Sequence, residues 1–522
     1  MTARRQNLWA ALVGLISAAA TLALAEVAAL FLAPGASPLL AVGSLVIDLV
    51  PGWLKSFVIS VFGTNDKIVL LVTLGIVVAV LAAGIGILEY RRPPFGIVGL
   101  VLVGGIATFA VITRADATTV WAVPTVLGMV LGVVVLRVAV DRLHRWVAAE
   151  QQGERPGEVP RFSDARVSRR GFFVMAGATG VAAVVAGVAA RAMNAGTTAV
   201  NAVRAALKLP APAIAAPPIP AGADLGIDGV ASLVSSNTDF YRIDTALQIP
   251  SINADEWKLR ITGMVENEIE VTFAELLALP LVETYVTLMC VSNEVGGYLT
   301  GNAKWLGYPI SELLARAVPT KGADVVLSTS QDGFTATTPL EVLQDRDRNS
   351  LLAVGMNDEP LPLEHGYPVR MVVPGLYGYV SATKWVVELK VSTFAQESAY
   401  WTDRGWAAKG PVKTSSRIDV PAFGDTLRPG TVAIAGVAWA QHVGIDRVEV
   451  RVDNDPWQDA TLAEAISADT WRQWYIEWTA TEGNHTLEVR ATDATGFTQT
   501  EKRVDVVPDG AEGWHTVQVS VG

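Results

Sequence analysis

Cysteine is almost absent from this chain, and its scarcity excludes several kinds of protein. Cys290 is the only cysteine among 522 residues, so the chain has no internal disulfide framework, no complete cysteine set for an iron–sulfur cluster and no CxxCH haem attachment motif. A lone cysteine is often a small buried apolar residue. This one lies in a polar turn, TLMCVSNEVGG, which is also typical of a metal ligand or a nucleophile.

Histidine is scarce as well. The five histidines all lie outside the long apolar runs of the sequence: His144, His365, His442, His485 and His515. A transmembrane haem b needs two axial ligands on facing helices, so the sequence predicts no bis-histidine haem in the membrane. Electrons are therefore expected to pass to or from a separate redox partner, a quinone or a cytochrome.

Basic residues are outnumbered by acidic ones, 40 against 51, which gives a formal net charge of −11. This balance, without a basic patch in the later part of the chain, argues against nucleic acid as a partner. The mean hydropathy of +0.36 and the 51% of hydrophobic residues are too high for a purely soluble protein. A chain of this length and composition is expected to combine a membrane part with globular domains.

Long apolar runs are confined to the first part of the chain. Five runs are long enough to cross a bilayer: residues 8–33, 68–88, 95–112, 120–140 and 171–190. The stretch 37–62 is also apolar, but charged and turn-forming residues interrupt it, which favours a re-entrant or interfacial segment. Glu26 and Asp48 are acidic groups near membrane depth. They are consistent with proton handling beside a quinone, or with packing at an interface.

The distribution of arginine orients these helices. Arginines cluster before the first run, between the second and third runs, and after the fourth run. Because such basic connections remain in the cytoplasm, the amino terminus is expected inside the cell and everything after residue 190 outside. The membrane part is thus predicted to cover residues 1–195, as an all-α transmembrane bundle of about five helices in a multi-pass cell-membrane protein.

The fifth apolar run has a signature of its own. It follows SRRGFF, residues 168–173, which resembles a twin-arginine export signal at an internal position. That route carries folded proteins across the membrane and is used by enzymes whose cofactor is inserted in the cytoplasm. An ordinary positively charged flank is the alternative interpretation. No compelling small-residue cleavage site follows, so the helix is expected to remain as an anchor.

Three segments of the later chain resemble the sulfite oxidase family of molybdopterin enzymes. They are the Cys290 turn, the stretch GMNDEPLPLEHGYPVRMVVPGLYGY followed by SATKW, and FYRIDTALQIP. The resemblance implies molybdenum and molybdopterin as cofactors. It implies that Cys290 binds the metal, that Arg242 lies near the metal, and that the cofactor is bound by Asn293, His365, Arg370, Ser381 and Lys384.

The chemistry of these residue types agrees with the resemblance. Molybdenum in high oxidation states is held by sulfur donors, so one protein thiolate with a cofactor dithiolene is a reasonable ligand set. A pterin with a terminal phosphate needs cationic donors. Arg370 can grip a phosphate through two parallel hydrogen bonds, and Lys384 can act as a point charge. Taken singly, each residue is equally consistent with a surface charge or a turn.

The resemblance also implies the order of domains. After an Ala/Pro-rich linker at 196–223, which reads as an extended spacer, residues 224–400 are expected to form the α+β molybdopterin domain. Strands are predicted at 257–261 and 324–328, and helices at 273–279 and 309–315. Short alternating strands from about residue 412 predict an immunoglobulin-like β-sandwich at 401–522. In the family this module is a dimerisation domain, so a homodimer is implied.

The substrate is the weakest part of the prediction. Sulfite-oxidising members follow the cysteine with basic residues, whereas Glu294 stands here, and an acidic group repels an anion. The family's catalytic tyrosine also lacks a clear match, with Tyr400 and Trp406 the nearest candidates. The sequence therefore favours oxygen-atom transfer on a sulfoxide or an N-oxide. Sulfite oxidation stays open, as does a cofactor-free membrane receptor; a transporter is disfavoured by the absence of broken helices or repeats.

Overall fold

The computed structural model describes residues 2–32, 36–51, 54, 58, 61–62, 66–114, 117–152, 200–247 and 249–522. The chain forms two compact units. The first comprises Met1–Ala199 with Ala246–Gln248, and the second comprises Val200–Thr245 with Ile249–Gly522. The predicted fifth membrane helix and the SRRGFF motif lie outside the described residues.

Helices make up the described part of the first unit. They are α1 (Ala3–Leu32), α2 (Pro38–Leu49), α3 (Asp66–Arg91), α4 (Phe95–Ile112) and α5 (Ala122–Gln152). In this described part, four helices are long and apolar enough to cross a membrane, which confirms four of the predicted runs. The helix α1 packs against α3 and α5, and its buried small residues, such as Ala10 and Ala20, permit close approach of the backbones.

Acidic groups among these helices have defined partners. Glu89 is fully buried on α3, where one carboxylate oxygen accepts from Ile97 N at 3.0 Å and the other pairs with Arg137 at 3.1 Å. The Glu89 carboxylate therefore stabilises the start of α4 and also neutralises the charge of Arg137. Asp48 on α2 pairs with Arg114 at 3.1 Å. Structural packing thus accounts for Asp48, which the sequence left open between packing and proton handling.

The expectation that every histidine lies outside the spans was wrong for His144. The helix α5 continues well past residue 140, because its apolar face still packs on the bundle through Leu143 and Val147. The candidate span Thr119–Ala148 consequently includes His144. Its Nε2 atom lies 3.0 Å from the carbonyl oxygen of Tyr90, and its ring stacks on the Tyr90 ring.

Two β-sheets form the first part of the second unit. One has the order β2-β1-β10-β5-β6; the other has the order β3-β4-β7-β8, with β9 also paired to β7. The strands are β1 (Lys258–Gly263), β2 (Ile269–Thr272), β3 (Val282–Met289), β4 (Thr300–Pro309), β5 (Val325–Ser330), β6 (Thr335–Pro339), β7 (Leu351–Met356), β8 (Glu359–Pro360), β9 (Arg370–Val372) and β10 (Val386–Ser392).

Short helices connect these strands: α6 (Phe273–Leu277), α7 (Ile310–Ala317) and α8 (Leu340–Gln344). The start of α6 is set by a capping box, in which the Thr272 hydroxyl accepts from Glu275 N and the Glu275 carboxylate accepts from Thr272 N. The two predicted helices and the two predicted strands of this region are confirmed, with ends shifted by a few residues at most.

The Ala/Pro-rich segment does not run as a free spacer. Ala213 N donates to Leu281 O at 2.7 Å, and Glu283 N donates to Ile214 O at 2.8 Å, so the segment pairs with the outer edge of β3. Its proline residues are compatible with an edge position, where few backbone N–H groups are needed. The segment therefore covers an exposed sheet edge that would otherwise present unpaired backbone groups.

The immunoglobulin-like β-sandwich is confirmed. Its sheets have the orders β11-β13-β17-β16 and β12-β19-β18-β14-β15. The strands are β11 (Ser415–Val420), β12 (Thr426–Leu427), β13 (Gly430–Trp439), β14 (Ile445–Val452), β15 (Gln458–Asp459), β16 (Thr461–Leu462), β17 (Arg472–Ala480), β18 (Gly483–Asp493) and β19 (His515–Val521). Val437, Trp439 and Trp471 of the sandwich belong to the same hydrophobic core as the two preceding sheets.

Candidate functional site

Cys290 stands immediately after β3, at the start of a turn that leads into β4. We call residues 290–299 the cysteine loop. Cys290 N donates to Leu299 O at 2.9 Å, and Asn293 N donates to Cys290 O at 3.1 Å. Because β3 and β4 are adjacent antiparallel strands, these bonds close the loop over the end of the sheet. The thiol is thereby presented at a rigid position.

Asn293 closes the same loop with its side chain. Its Oδ1 atom accepts from Leu299 N at 2.7 Å, and the residue is only 2% exposed. Its Nδ2 atom is buried and has no hydrogen-bond partner in the described part of the chain. A buried donor without a partner is costly, so this atom is placed to donate to a bound group.

A second cluster comes from the segment between β8 and β10. His365 ends a single turn of 3₁₀ helix, Arg370 begins β9, and Lys384 precedes β10. Gly366 makes their approach possible, since it has φ of 110° and a Cβ there would lie 3.0 Å from Arg370 Cβ and 3.2 Å from Lys384 Cβ. Arg370 Nη1 donates to His365 O at 3.2 Å.

Arg242 joins this cluster through a shared carboxylate. Asp244 Oδ2 lies 2.9 Å from Arg242 Nε and 2.7 Å from Lys384 Nζ, and its carboxylate is 3% exposed. Two of the three segments that resembled one family in sequence therefore meet in space here. Arg370 lies over the Trp305 ring at 5.0 Å from the centroid, and it forms no ion pair with any carboxylate of the described residues.

Burial dominates the electrostatics of this cluster. It lowers the pKa of Lys384 to about 8, although Asp244 acts in the opposite direction. It lowers the pKa of Arg370 to about 10 and that of His365 to about 4, so His365 is neutral at physiological pH. The three shifts share one cause: the charged forms are held away from water without enough negative charge nearby. An anion bound beside them would relieve that cost.

Burial also disfavours the charged form of the Cys290 thiol. The residue is only partly buried overall, yet burial of the thiol raises its pKa, against a smaller lowering by hydrogen bonds from Ser292. A thiol of this kind remains protonated unless a cation or metal takes the place of the proton.

Two tyrosines that the sequence analysis did not select also face the cysteine. Burial raises the pKa of Tyr241, and the charge of Cys290 contributes while Arg370 opposes it, so Tyr241 lies within electrostatic range of both the thiol and Arg370. Tyr377 is 1% exposed, and its pKa is likewise raised by burial and by Cys290. Tyr241 directly precedes Arg242 in the segment FYRIDTALQIP. This neighbouring position is the sequence feature from which Tyr241 could have been selected as a site residue.

The other predicted residues have different surroundings. The Ser381 hydroxyl bonds to the carbonyl oxygens of Leu376 and Tyr377, at 3.1 and 2.8 Å, and so shapes the turn between β9 and β10. Tyr400 lies under Arg404, 3.6 Å from ring centroid to guanidinium carbon, and Trp406 packs on Tyr379. Neither is placed with the cluster. Glu294 is exposed on the cysteine loop.

These residues fit a molybdopterin cofactor. The thiol of Cys290 would bind the metal, the unpaired Nδ2 atom of Asn293 would donate to the cofactor, and Arg370 with Lys384 would hold the phosphate. The observation behind this assignment is a cluster of three cations. Arg370 and Lys384 are largely buried, Arg242 is partly exposed, and Asp244 pairs with Arg242 and Lys384 but not with Arg370 among the described residues.

Comparison with known proteins agrees with the geometry. Residues 246–401 match the family described as oxidoreductase molybdopterin binding domain. The mitochondrial sulfite oxidase of Macaca fascicularis is 29% identical over 292 residues, which are 47% of this chain and 53% of that protein. Residues 246–401 thus form a domain of the oxidoreductase molybdopterin binding type, and this domain is similar to those of sulfite oxidases. Molybdopterin-bound molybdenum is the cofactor of this family, and the domain is a molybdopterin-dependent oxidoreductase domain.

Relatives of the molybdopterin domain also include a plant sulfite oxidase and a fungal nitrate reductase. The sulfite oxidase of Arabidopsis thaliana is 24% identical over 361 residues, covering 56% of this chain and 90% of that protein. A nitrate reductase of Fusarium oxysporum is 28% identical over 256 residues, covering 40% and 28% respectively. The chain spans about half the length of the mammalian relatives, 53% in the human protein.

Among solved structures, the sulfane dehydrogenase SoxCD of Paracoccus pantotrophus has a TM-score of 0.49 and 24% identity, and covers 56% of this chain and 82% of that one. Residues 415–489 match the bacterial Ig domain family, which coincides with the observed sandwich.

Proposed function

We propose that the chain is a membrane-anchored molybdenum oxidoreductase, with its molybdopterin domain outside the cytoplasm, that transfers an oxygen atom to or from a small sulfoxide or N-oxide. The observation that carries the proposal is the pair of largely buried cations Arg370 and Lys384, together with the single thiol of the chain. In a domain of this family, that combination matches one protein thiolate for the metal and cationic donors for the phosphate.

A bound molybdenum cofactor supplies two-electron oxygen-atom transfer. In the reducing direction, a sulfoxide with two electrons and two protons gives a sulfide and water; the reverse reaction oxidises the sulfide. Cys290 anchors the group rather than attacking substrate. Asn293 and Arg370 orient the cofactor, and the apolar core beneath the cluster excludes water from it. The electrons come from a separate partner, a quinone or a cytochrome, in this proposal.

The surroundings of the cysteine loop favour a neutral or zwitterionic substrate. Glu294 is exposed on the loop and would repel an approaching anion. Arg242 is the accessible cation of the cluster, with 35% of its side chain exposed, but Asp244 already pairs with it. Sulfite oxidation is the second candidate, since several relatives are named sulfite oxidases and the exposed part of Arg242 is able to contact an anion.

The membrane placement rests on the four apolar helices and on the arginine distribution. With the predicted fifth helix, the molybdopterin domain lies on the side opposite the amino terminus. A folded, cofactor-loaded domain reaches that side by the twin-arginine route, which agrees with the SRRGFF motif.

The test is to purify the full chain in detergent from a host that makes the cofactor, and to measure molybdenum together with the fluorescence of the released pterin. About one metal per chain is expected, and Cys290→Ser is expected to lose it while leaving the fold largely intact. The absence of metal and pterin from the wild type would overturn the proposal in favour of a cofactor-free receptor.

Substrate assays then separate the two candidates. Reduction of dimethyl sulfoxide or trimethylamine N-oxide by a reduced viologen supports the first candidate, and oxidation of sulfite by ferricyanide supports the second. Activity on sulfite alone would contradict the argument from Glu294. Glu294→Gln is the matched variant: it is expected to improve the KM for sulfite and to leave the KM for a neutral oxide unchanged.

A further inference from the structure

The immunoglobulin-like domain contacts the cysteine loop from its outer side. Arg417 on β11 is almost fully buried, with 3% of its side chain exposed. Its Nε atom pairs with Asp419 Oδ1 at 2.5 Å, and its Nη1 atom donates to Gly297 O at 2.8 Å. The guanidinium also lies over the Tyr298 ring, 4.6 Å from the centroid. One arginine of the immunoglobulin-like domain thus contacts two successive residues of the cysteine loop, Gly297 and Tyr298.

A second contact lies directly beside the first. The imidazole of His515, the first residue of β19, packs on Gly296, where a Cβ atom would overlap the ring. Gly296 has φ of 81°, so this position needs glycine both for its backbone and for its neighbour. His515 Nδ1 accepts from Ile418 N at 3.0 Å. The ring is therefore held by the residue that follows Arg417.

The strand before the cysteine is held by the same domain. Thr287 N donates to Asp469 O at 2.9 Å, and Trp471 N donates to the Thr287 hydroxyl at 2.8 Å. Gln441 Nε2 donates a third hydrogen bond to this residue, to Thr287 O at 3.3 Å. The chain is consequently fixed by the immunoglobulin-like domain three residues before Cys290 and again at Gly297 behind it.

Between these two points the loop is closed by its own hydrogen bonds. Gly297 N donates to Glu294 O at 2.9 Å, next to the bonds of Asn293 and Leu299 described above. A shift of Gly297 is therefore passed to Asn293 and to Cys290, because few backbone torsions in the loop are free to absorb it. The position of the thiol depends on where Arg417 holds the loop.

We propose that Arg417 is a positioning residue for Cys290, and that the immunoglobulin-like domain is part of the scaffold of the metal site. Arginine is needed for this because its planar fork bonds Asp419 and Gly297 at once, which a lysine cannot reproduce. The inference rests on the proposed function in one respect, which is that Cys290 is the metal ligand. The effect of Arg417 on the position of the thiol does not depend on it.

The first test uses the single cysteine of the chain as a probe. Full-length protein is purified in detergent from a host unable to make the cofactor, and the rate of Cys290 modification by a thiol-specific reagent is measured. In Arg417→Gln the rate is expected to rise at least about tenfold, because a charge-assisted hydrogen bond that closes the loop is lost. An unchanged rate in a folded Arg417→Gln protein would overturn the proposal.

Arg451→Gln is the matched control. Arg451 is a partly buried arginine of the sandwich, with 23% of its side chain exposed. It pairs with Glu488 and stacks on Trp457 and Trp514, and its contacts in the described part of the chain do not include the cysteine loop. Its labelling rate is expected to stay within about threefold of the wild type. An equal acceleration in both variants would mean general destabilisation and would overturn the positioning role. If Arg417→Gln does not fold, His515→Ala removes the adjacent support, and it is expected to accelerate labelling in the same way.

The second test uses the loaded enzyme. The electron paramagnetic resonance spectrum of the one-electron-reduced metal reports the geometry of its thiolate, so Arg417→Gln is expected to shift the spectrum and Arg451→Gln to leave it unchanged. A wild-type chain without molybdenum would overturn the proposed function, while the labelling experiment would still decide the role of Arg417. A loaded Arg417→Gln protein with the wild-type spectrum would overturn the inference alone.

Discussion

Lys384 donates a 2.7 Å hydrogen bond to Asp244, although 140 residues separate the two in sequence. Asp244 also pairs with its near neighbour Arg242. One carboxylate therefore joins the segment that opens the molybdopterin domain to the segment that precedes β10, and places two cations side by side. This buried pair is one structural link between the two segments that resemble the family, and the Phe240 ring against the His365 ring is another.

Retention of the cofactor is expected to weaken as the pH rises above about 8. Burial lowers the pKa of Lys384 to about 8 in the cofactor-free protein. A bound phosphate raises it again, so the bound state holds more protons and the affinity falls as pH increases through this window, by up to about tenfold per pH unit. The rate of cofactor release between pH of about 7 and about 10 measures the effect.

Lys390→Gln serves as the control for this experiment. Lys390 lies on β10 and pairs with Glu397, with 44% of its side chain exposed. Removing it is expected to leave the pH profile unchanged. A release rate that is independent of pH in the wild type would show that Lys384 does not hold an anionic group of the cofactor.

Two substitutions of Asn293 separate its two roles. Asn293→Ala removes the acceptor of Leu299 N and is expected to lower the free energy of unfolding by about 1–3 kcal/mol. Asn293→Asp keeps an acceptor oxygen for Leu299 N but loses the Nδ2 donor, and is expected to keep the loop closed while losing molybdenum. Thermal unfolding and metal content are the two measurements. Full metal content in Asn293→Asp would exclude a contact between Nδ2 and the cofactor.

Trp471 is expected to carry much of the contact between the sandwich and the molybdopterin domain. It is 3% exposed, lies in the shared core, and its indole donates to Leu233 O at 2.9 Å. Trp471→Ala is expected to destabilise the protein by about 3–5 kcal/mol, because it leaves a cavity and removes one of the two hydrogen bonds that Leu233 O accepts. Trp457→Ala, on the outer face of the sandwich against Trp514, is the comparison. Equal shifts in the unfolding midpoint would argue against a shared core.

Export is expected to depend on both arginines of SRRGFF. Replacement of Arg169 and Arg170 with lysine keeps the positive charge but removes the paired-arginine signal, so the molybdopterin domain is expected to stay in the cytoplasm. Protease protection of the domain in spheroplasts measures its side of the membrane. Unaltered export of this variant would mean that the arginines act only as a positively charged flank.

Part of this architecture follows from local sequence patterns. Apolar runs predicted α1, α3, α4 and most of α5, since a helix of this composition needs only length and hydropathy to be recognised. Alternating residues predicted β13, β14, β17 and β18 for the same reason. The strand β11 was missed because its pattern is interrupted by polar residues that turned out to be buried, such as Arg417. The strand β19 was missed although its valines alternate regularly with polar residues.

The sequence by itself determined which residues are proposed to carry the chemistry. One cysteine among 522 residues, followed at a distance by His365, Arg370 and Lys384, limited the metal ligand and the phosphate donors to a few positions. Those assignments depend on residue type, because only a thiolate and cationic side chains suit these ligands.

Tertiary structure alone decided how these residues are held. The pairing of Lys384 with Asp244 and the contact of Arg417 with Gly297 join residues that are distant in the chain or lie in different domains. The pairing of the Ala/Pro-rich segment with the edge strand β3 is likewise a feature of the tertiary structure. Long-range contacts of this kind leave no periodic pattern in the sequence, since they depend on how complete sheets pack against each other.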